Sequence, residues 1–285
     1  MNVYETITNR IIESLDKGII PWRKEWKAGA NVSTPTNYTT KKPYRGINVF
    51  SLLCNEFSSN EWMTYKQAQD AGFQVRKGSK GSPIVFWKFD SKENTETGEN
   101  ERFAFARGYT VFNVEQIDGI PLSLPLDDAP AFEPIQAADN MVDGYLARGP
   151  QLAHDGGNKA FYSPTFDKVS MPKRESFTTP DAYYSTLFHE LAHSTGHETR
   201  LKRLDGVGQF SFGSESYSKE ELIAEFGAAF LCAQTGIVNP SVTDNHTAYI
   251  QNWIATLKND KNMAVQAAQR AQKAADLIRG IQTAE

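Results

Sequence analysis

The chain has 285 residues, 40% of them apolar and 22% charged, which excludes an intrinsically disordered polymer and allows one large domain or two of ordinary size. Its two cysteines, Cys54 and Cys232, stand far apart among apolar neighbours, which excludes a disulfide scaffold and a zinc knuckle and points to a reducing compartment. The net charge of −4 hides an asymmetry: residues 17–88 hold twelve Lys/Arg against four acids, so a polyanion-facing half is expected in an otherwise acidic chain.

The N-terminus is polar and carries no targeting pattern, and no apolar run approaches the roughly 20 residues of a membrane span. A soluble, cytoplasmic protein without membrane association is expected. Over residues 3–17, Val3, Ile7, Ile11 and Leu15 recur at helical spacing, and Gly18 stops the helix. Residues 21–46 carry Pro21, Gly29, Pro35, Pro43 and Gly46 and are expected to be irregular. Residues 47–57 read as helix, and Thr64 caps a short helix over 65–71 that ends at Gly72. A β-branched and aromatic strand covers 83–89, its partner covers 102–113, and 90–101 is the expected loop between them.

Gly119, Pro121, Pro125, Pro130 and Pro134 mark the linker. The division is therefore 1–120 for a first domain, 121–134 for the linker and 135–285 for a second domain. In the second domain, 135–148 is helical and 159–172 extended. A helix over 181–196 starts at Thr179 and Pro180, and another over 218–234 has Glu220 and Glu221 in its first turn. Helices over 243–258 and 263–282 complete the pattern. The fold class is α+β: a first domain with a small antiparallel sheet, then a mostly helical domain.

Residues 189–193 read His-Glu-Leu-Ala-His. Positions i and i+4 share a helix face, so His189 and His193 can put two imidazoles on one ion, with Glu190 placed as general base toward an activated water. A catalytic zinc needs a third ligand. Glu221 and Glu225 share one face of the later helix; Glu221 is favoured as ligand and Glu225 as support for an imidazole, with the reverse kept as the alternative. His197 follows Gly196, where the helix should end, and His246 lies far off. Tyr217, one turn before Glu221, is a candidate donor to a tetrahedral oxyanion, with helix-start packing an equal alternative. The expected cofactor is one Zn²⁺ per chain, other divalent transition ions being compatible. The expected reaction is hydrolysis of a peptide bond, with Glu190 moving the proton from water to the leaving amine.

The basic stretch interleaves rings with cations, the pattern of surfaces that hold single strands by phosphate contact and base stacking. Candidates are Trp22, Arg23, Lys24, Lys41, Lys42, Tyr44, Arg45, Lys66, Arg76, Lys77 and Lys80. A core place is expected for Phe86 or Trp87, because alternate strand residues face inward. The expected partner is single-stranded DNA, bound with little sequence specificity.

The run Pro21-Trp22-Arg23, with residues 43–48, 64–68 and 75–81, resembles the N-terminal domain of ArdC-type antirestriction proteins. Residues 189–197 and 220–225 resemble that family's metallopeptidase domain. The resemblance implies a single-stranded-DNA-binding domain followed by a zincin, in a mobile-element protein that protects incoming plasmid DNA from host restriction during conjugation. The peptidase substrate it leaves open is a protein, DNA-associated or restriction-related. The competing reading is a non-enzymatic protein that coats DNA, with a structural or vestigial zinc site. A Mg²⁺ nuclease is disfavoured by the nitrogen-rich ligand set.

Overall fold

The computed structural model describes residues 2–23, 34–93, 100–120, 134–204, 215–238 and 246–281. Within them, 88–93, 100–104, 134, 215–217 and 246–249 are described as backbone only. Lys24 and residues 121–133 of the linker expected over 121–134 lie outside the described residues.

Helix α1 (Val3–Asp16) starts in a capping box between Asn2 and Glu5 and buries Ile7, Ile11, Ile12 and Leu15. A short strand β1 (Thr36–Asn37) precedes α2 (Ile47–Leu53). Helix α2 stops earlier than its apolar pattern suggests, because the Asn55 side chain donates to the Leu52 carbonyl at 2.8 Å and closes the turn. Strand β2 (Glu61–Thr64) leads into α3 (Tyr65–Asp70), whose Thr64 cap pairs reciprocally with Gln67. Strand β3 (Gln74–Val75), the long strands β4 (Ser82–Glu93) and β5 (Asn100–Asn113), and β6 (Ile117–Asp118) complete the first half.

The main sheet has the order β1-β2-β5-β4, while β3 and β6 pair separately. Pairing of β4 with β5 continues through Ser91–Arg102 to Glu93–Asn100. The strands thus run into the segment expected as loop, because each ladder step satisfies backbone groups that a loop would leave to solvent.

Helix α4 (Pro134–Leu146) begins the second half. Strands β7 (Gln151–Ala153), β8 (Phe161–Ser163) and β9 (Lys168–Ser170) form a small sheet of order β7-β9-β8. Helices α5 (Pro180–Ser194), α6 (Glu215–Thr235), α7 (His246–Asn259) and α8 (Met263–Ile278) follow. The architecture is α+β throughout, with helices dominating the second half.

One apolar cluster runs through both halves. It joins Ile7, Ile11, Trp22 and Phe50 to Phe226, Phe230, Trp253 and Leu257. Trp22 is 2% exposed and meets Phe226 and Trp253 edge-on at 4.9 and 5.2 Å between ring centres. The expectation of Trp22 as a base-stacking residue is corrected here: its charged neighbours suggested a surface, but the ring is a core residue. Cys54 and Cys232 are free thiols, and burial pushes Cys54 up to about 12, so it behaves as an apolar side chain. Among the described residues no helix is long and apolar enough to cross a membrane.

Candidate metal centre and nucleic-acid face

Helix α5 starts where Thr179 accepts a hydrogen bond from the Ala182 N–H at 3.1 Å, with Pro180 in the first turn, where its missing N–H costs nothing. Its buried side presents Tyr183, Tyr184, Leu187, Phe188 and Leu191 to the core. Helix α6 crosses against it at Gly227. A Cβ on Gly227 would stand 2.9 Å from that of Ala192, the neighbour of His193, well inside the optimum separation of carbon atoms. The bare glycine therefore sets the close approach that brings the carboxylates of α6 to the imidazoles of α5.

The Nε2 atoms of His189 and His193 face each other at 3.1 Å. The Glu221 carboxylate lies 3.5 Å from the first and 3.4 Å from the second. Ligand bonds of about 2.0–2.1 Å at tetrahedral angles separate donor atoms by about 3.3–3.4 Å. The three groups thus have the chemistry and the spacing of a single divalent-ion site, and they are the one such group among the described residues.

Each imidazole turns its other nitrogen to a second carboxylate. His189 Nδ1 is 3.9 Å from Glu225, and His193 Nδ1 is 3.4 Å from Glu220. Each of those carboxylates is gripped by an arginine fork. Arg23 reaches Glu225 at 2.5 and 3.2 Å, and Arg203 reaches Glu220 at 2.9 and 3.2 Å. Arg203 also donates to Thr195 Oγ1 and to the Ala192 carbonyl, both at 2.9 Å. Burial opposes a charged His193, but Glu220 and Glu221 outweigh it and hold the imidazole up at about 10. Burial likewise opposes a charged Glu221, yet the two imidazoles hold its carboxyl well below the usual range. Carboxylates around the two imidazoles favour positive charge at this position, carried by a proton or by a metal ion that displaces it.

Glu190 is buried on α5 beside His189. Tyr217 sits on α6 one turn ahead of Glu221, its side chain outside those described. His197 turns away to Thr199 at 2.8 Å and stays out of the cluster. Glu220 and Arg203 are not singled out as site residues by the sequence, and Arg23, expected at DNA, instead stands behind the metal ligands. Glu220 was seen only as a first-turn acid, and no helical spacing links the two arginines to α5.

Among the described residues, the expected nucleic-acid candidates have different surroundings. Arg23 is spent on Glu225, and Lys41 pairs with Glu61 at 2.8 Å while lying over the Tyr38 ring. Arg76 pairs with Asp118 at 3.2 Å. Lys66, Lys77 and Lys80 are exposed. Lys42, Tyr44 and Arg45 line a cavity of about 1010 Å³ between the β4–β5 hairpin and α8. Tyr44 is only 5% exposed, whereas Phe86 and Trp87, one or the other expected in the core, are 47% and 41% exposed and line the same cavity. Strand alternation says that neighbouring residues face opposite ways; it does not say which face is covered.

The family of the N-terminal domain of anti-restriction factor ArdC matches residues 1–112, and the zincin-like metallopeptidase family matches residues 138–270. Two Escherichia coli proteins named DNA primase TraC are 36% and 38% identical over 96% of the chain. The chain spans only 20% and 27% of their length. The y4eC protein of Sinorhizobium fredii is 35% identical over 99% of the chain and 93% of its own length. Crystal structures of the antirestriction protein ArdC from plasmid R388 superpose with a TM-score of 0.76 in both a metal-free and a Mn(II)-bound form. They are 36% and 38% identical and are matched over 100% and 98% of their chains. With likeness of this extent in sequence, fold and domain order together, the chain belongs to the ArdC family of antirestriction proteins.

Proposed function

We propose that the chain binds single-stranded DNA and hydrolyses peptide bonds in a protein met on that DNA, a cytoplasmic activity that protects incoming plasmid DNA from host restriction during conjugation. The observation that carries the peptidase half is the convergence of His189, His193 and Glu221 at ligand spacing with Glu190 buried beside them. Bound by these three residues, a divalent ion supplies Lewis-acid polarisation of a carbonyl and activation of water. The proposed ion is zinc, one per chain, which suits two imidazoles and a carboxylate. Glu190 takes the proton from the attacking water and returns it to the leaving amine. Glu220 and Glu225 fix the orientation of the imidazoles, and Tyr217 donates to the oxyanion. Lys42, Arg45, Lys66, Lys77 and Lys80 supply cations to DNA phosphates.

The test is restriction protection in cells by wild type and Glu190→Ala, with metal content measured on both purified proteins. Loss of protection with metal retained supports the enzyme. Unchanged protection with metal retained overturns the peptidase requirement and leaves DNA coating as the mechanism.

A further inference from the structure

The cavity between the first half and the last helix has three properties at once. The first is a row of rings. Register pairs Ile84 with Tyr109 and Phe86 with Arg107, so these side chains share one face of the β4–β5 hairpin. Tyr44, Phe86 and Tyr109 follow one another along it, with ring centres 6.5 and 5.8 Å apart. Phe86 leaves nearly half its surface exposed.

The second property is charge. Lys42 and Arg45 line one wall, and Arg270 and Lys273 of α8 line the other. Arg107 lies over the Tyr109 ring at 5.6 Å. The lone acid in the lining is Asp276, which is buried and paired with Arg45. Every other charge in the lining is positive.

The third property is rigidity. The Gly46 N–H donates to Gln272 at 3.0 Å, tying the first half to α8 at the cavity floor. Gln272 in turn donates to Asp276 at 3.2 Å. Helix α8 packs its alanine face into the common core, so Arg270 and Lys273 are displayed from a fixed support.

We infer that this cleft is the seat of the single strand, with bases stacked along the hairpin rings and phosphates held between Lys42 and Arg45 on one side and Arg270 and Lys273 of α8 on the other. The inference rests on the DNA-binding reading above. It differs from that reading in giving half of the phosphate clamp to the metallopeptidase half of the chain. Rings and cations face each other across a cleft, an arrangement suited to unpaired bases; a duplex hides its base faces within its own stack.

The experiment measures binding of a labelled oligothymidine of about 20 nucleotides to the full chain across a salt series. Wild type is compared with Arg270→Glu/Lys273→Glu and with Lys159→Glu/Lys173→Glu. The second pair makes the same change in net charge at exposed lysines outside the cleft. Expected is a loss of affinity of about tenfold or more for the α8 variant, and a salt slope shallower by about 1.4 for two lost phosphate contacts. The control pair should lose far less. Phe86→Ala should lose affinity with its salt slope unchanged, because stacking releases no counterions. Thermal unfolding of each variant checks the fold. Wild-type affinity and slope in the α8 variant, or equal losses in the two charge pairs, would overturn the cleft while leaving DNA binding in place. Failure of wild type to bind the oligonucleotide would overturn both. Duplex DNA bound as tightly as the single strand would overturn the stacking arrangement.

Discussion

His189 and His193 each offer one nitrogen to the centre and keep the other against a carboxylate held by an arginine. A ligand supported in this way loses less rotational freedom when the ion binds, and its imidazole is a better donor. The residues around the site should therefore fall into two grades. Glu221→Ala removes a donor atom and should abolish stoichiometric metal binding. Glu220→Gln and Arg203→Ala leave all three donors in place and should weaken metal affinity about 10- to 100-fold. Competition against a chromophoric chelator distinguishes the grades. If Glu225→Ala falls as far as Glu221→Ala, the third ligand has been assigned to the wrong carboxylate. The face shared by His189 and His193, and that shared by Glu221 and Glu225, follow from spacing alone. Glu220 lies one residue off the second face, and its part emerges only once α6 is set against α5.

At the scale of elements, the site depends on how closely α5 and α6 approach, and Gly227 sets that distance against Ala192. Gly227→Val should cost roughly 1–3 kcal/mol through overpacking. It should also lower metal affinity, because any relief moves Glu221 away from the imidazoles. Gly227→Ala should show a smaller loss, partly offset by better helix propensity. Urea unfolding and metal competition on the same samples check both effects, and a valine variant with the wild-type midpoint and affinity would show that the crossing is fixed elsewhere. Most helices are legible, since α1 and α8 carry long apolar stripes and α1 and α5 clear N-terminal caps. The short strands β1, β3, β6 and β7 are not, because two or three residues hold too little pattern and their pairing is supplied by distant partners. The β4–β5 hairpin is legible but its full length is not, since turn-forming residues in a strand end can be overruled by the ladder that continues through them.

At the scale of the molecule, the halves that composition separates are joined by a common interior. Trp22, from the basic aromatic segment, is wedged between Phe50 of its own half and Phe226 and Trp253 of the other. Arg23 beside it reaches Glu225 behind the metal ligands. This is not legible locally, because a tryptophan among lysines has the same signature whether it stacks on bases or closes a core. The two places are told apart by what lies over 200 residues away. A shared interior has a thermodynamic consequence: the half proposed to hold DNA and the half proposed to hold metal should unfold as one unit. Trp22→Ala should cost about 3–5 kcal/mol and should lower both halves together. The measurement follows bound metal and bound oligonucleotide through one denaturant titration in wild type and variant. Coincident midpoints that shift by the same amount are expected. Two separate midpoints, or a shift confined to the DNA signal, would mean that the halves are stable apart and that Trp22 serves only its own side. Coincidence would tie the proposed DNA cleft and the metal centre to one folding equilibrium, the behaviour of a single cooperative unit.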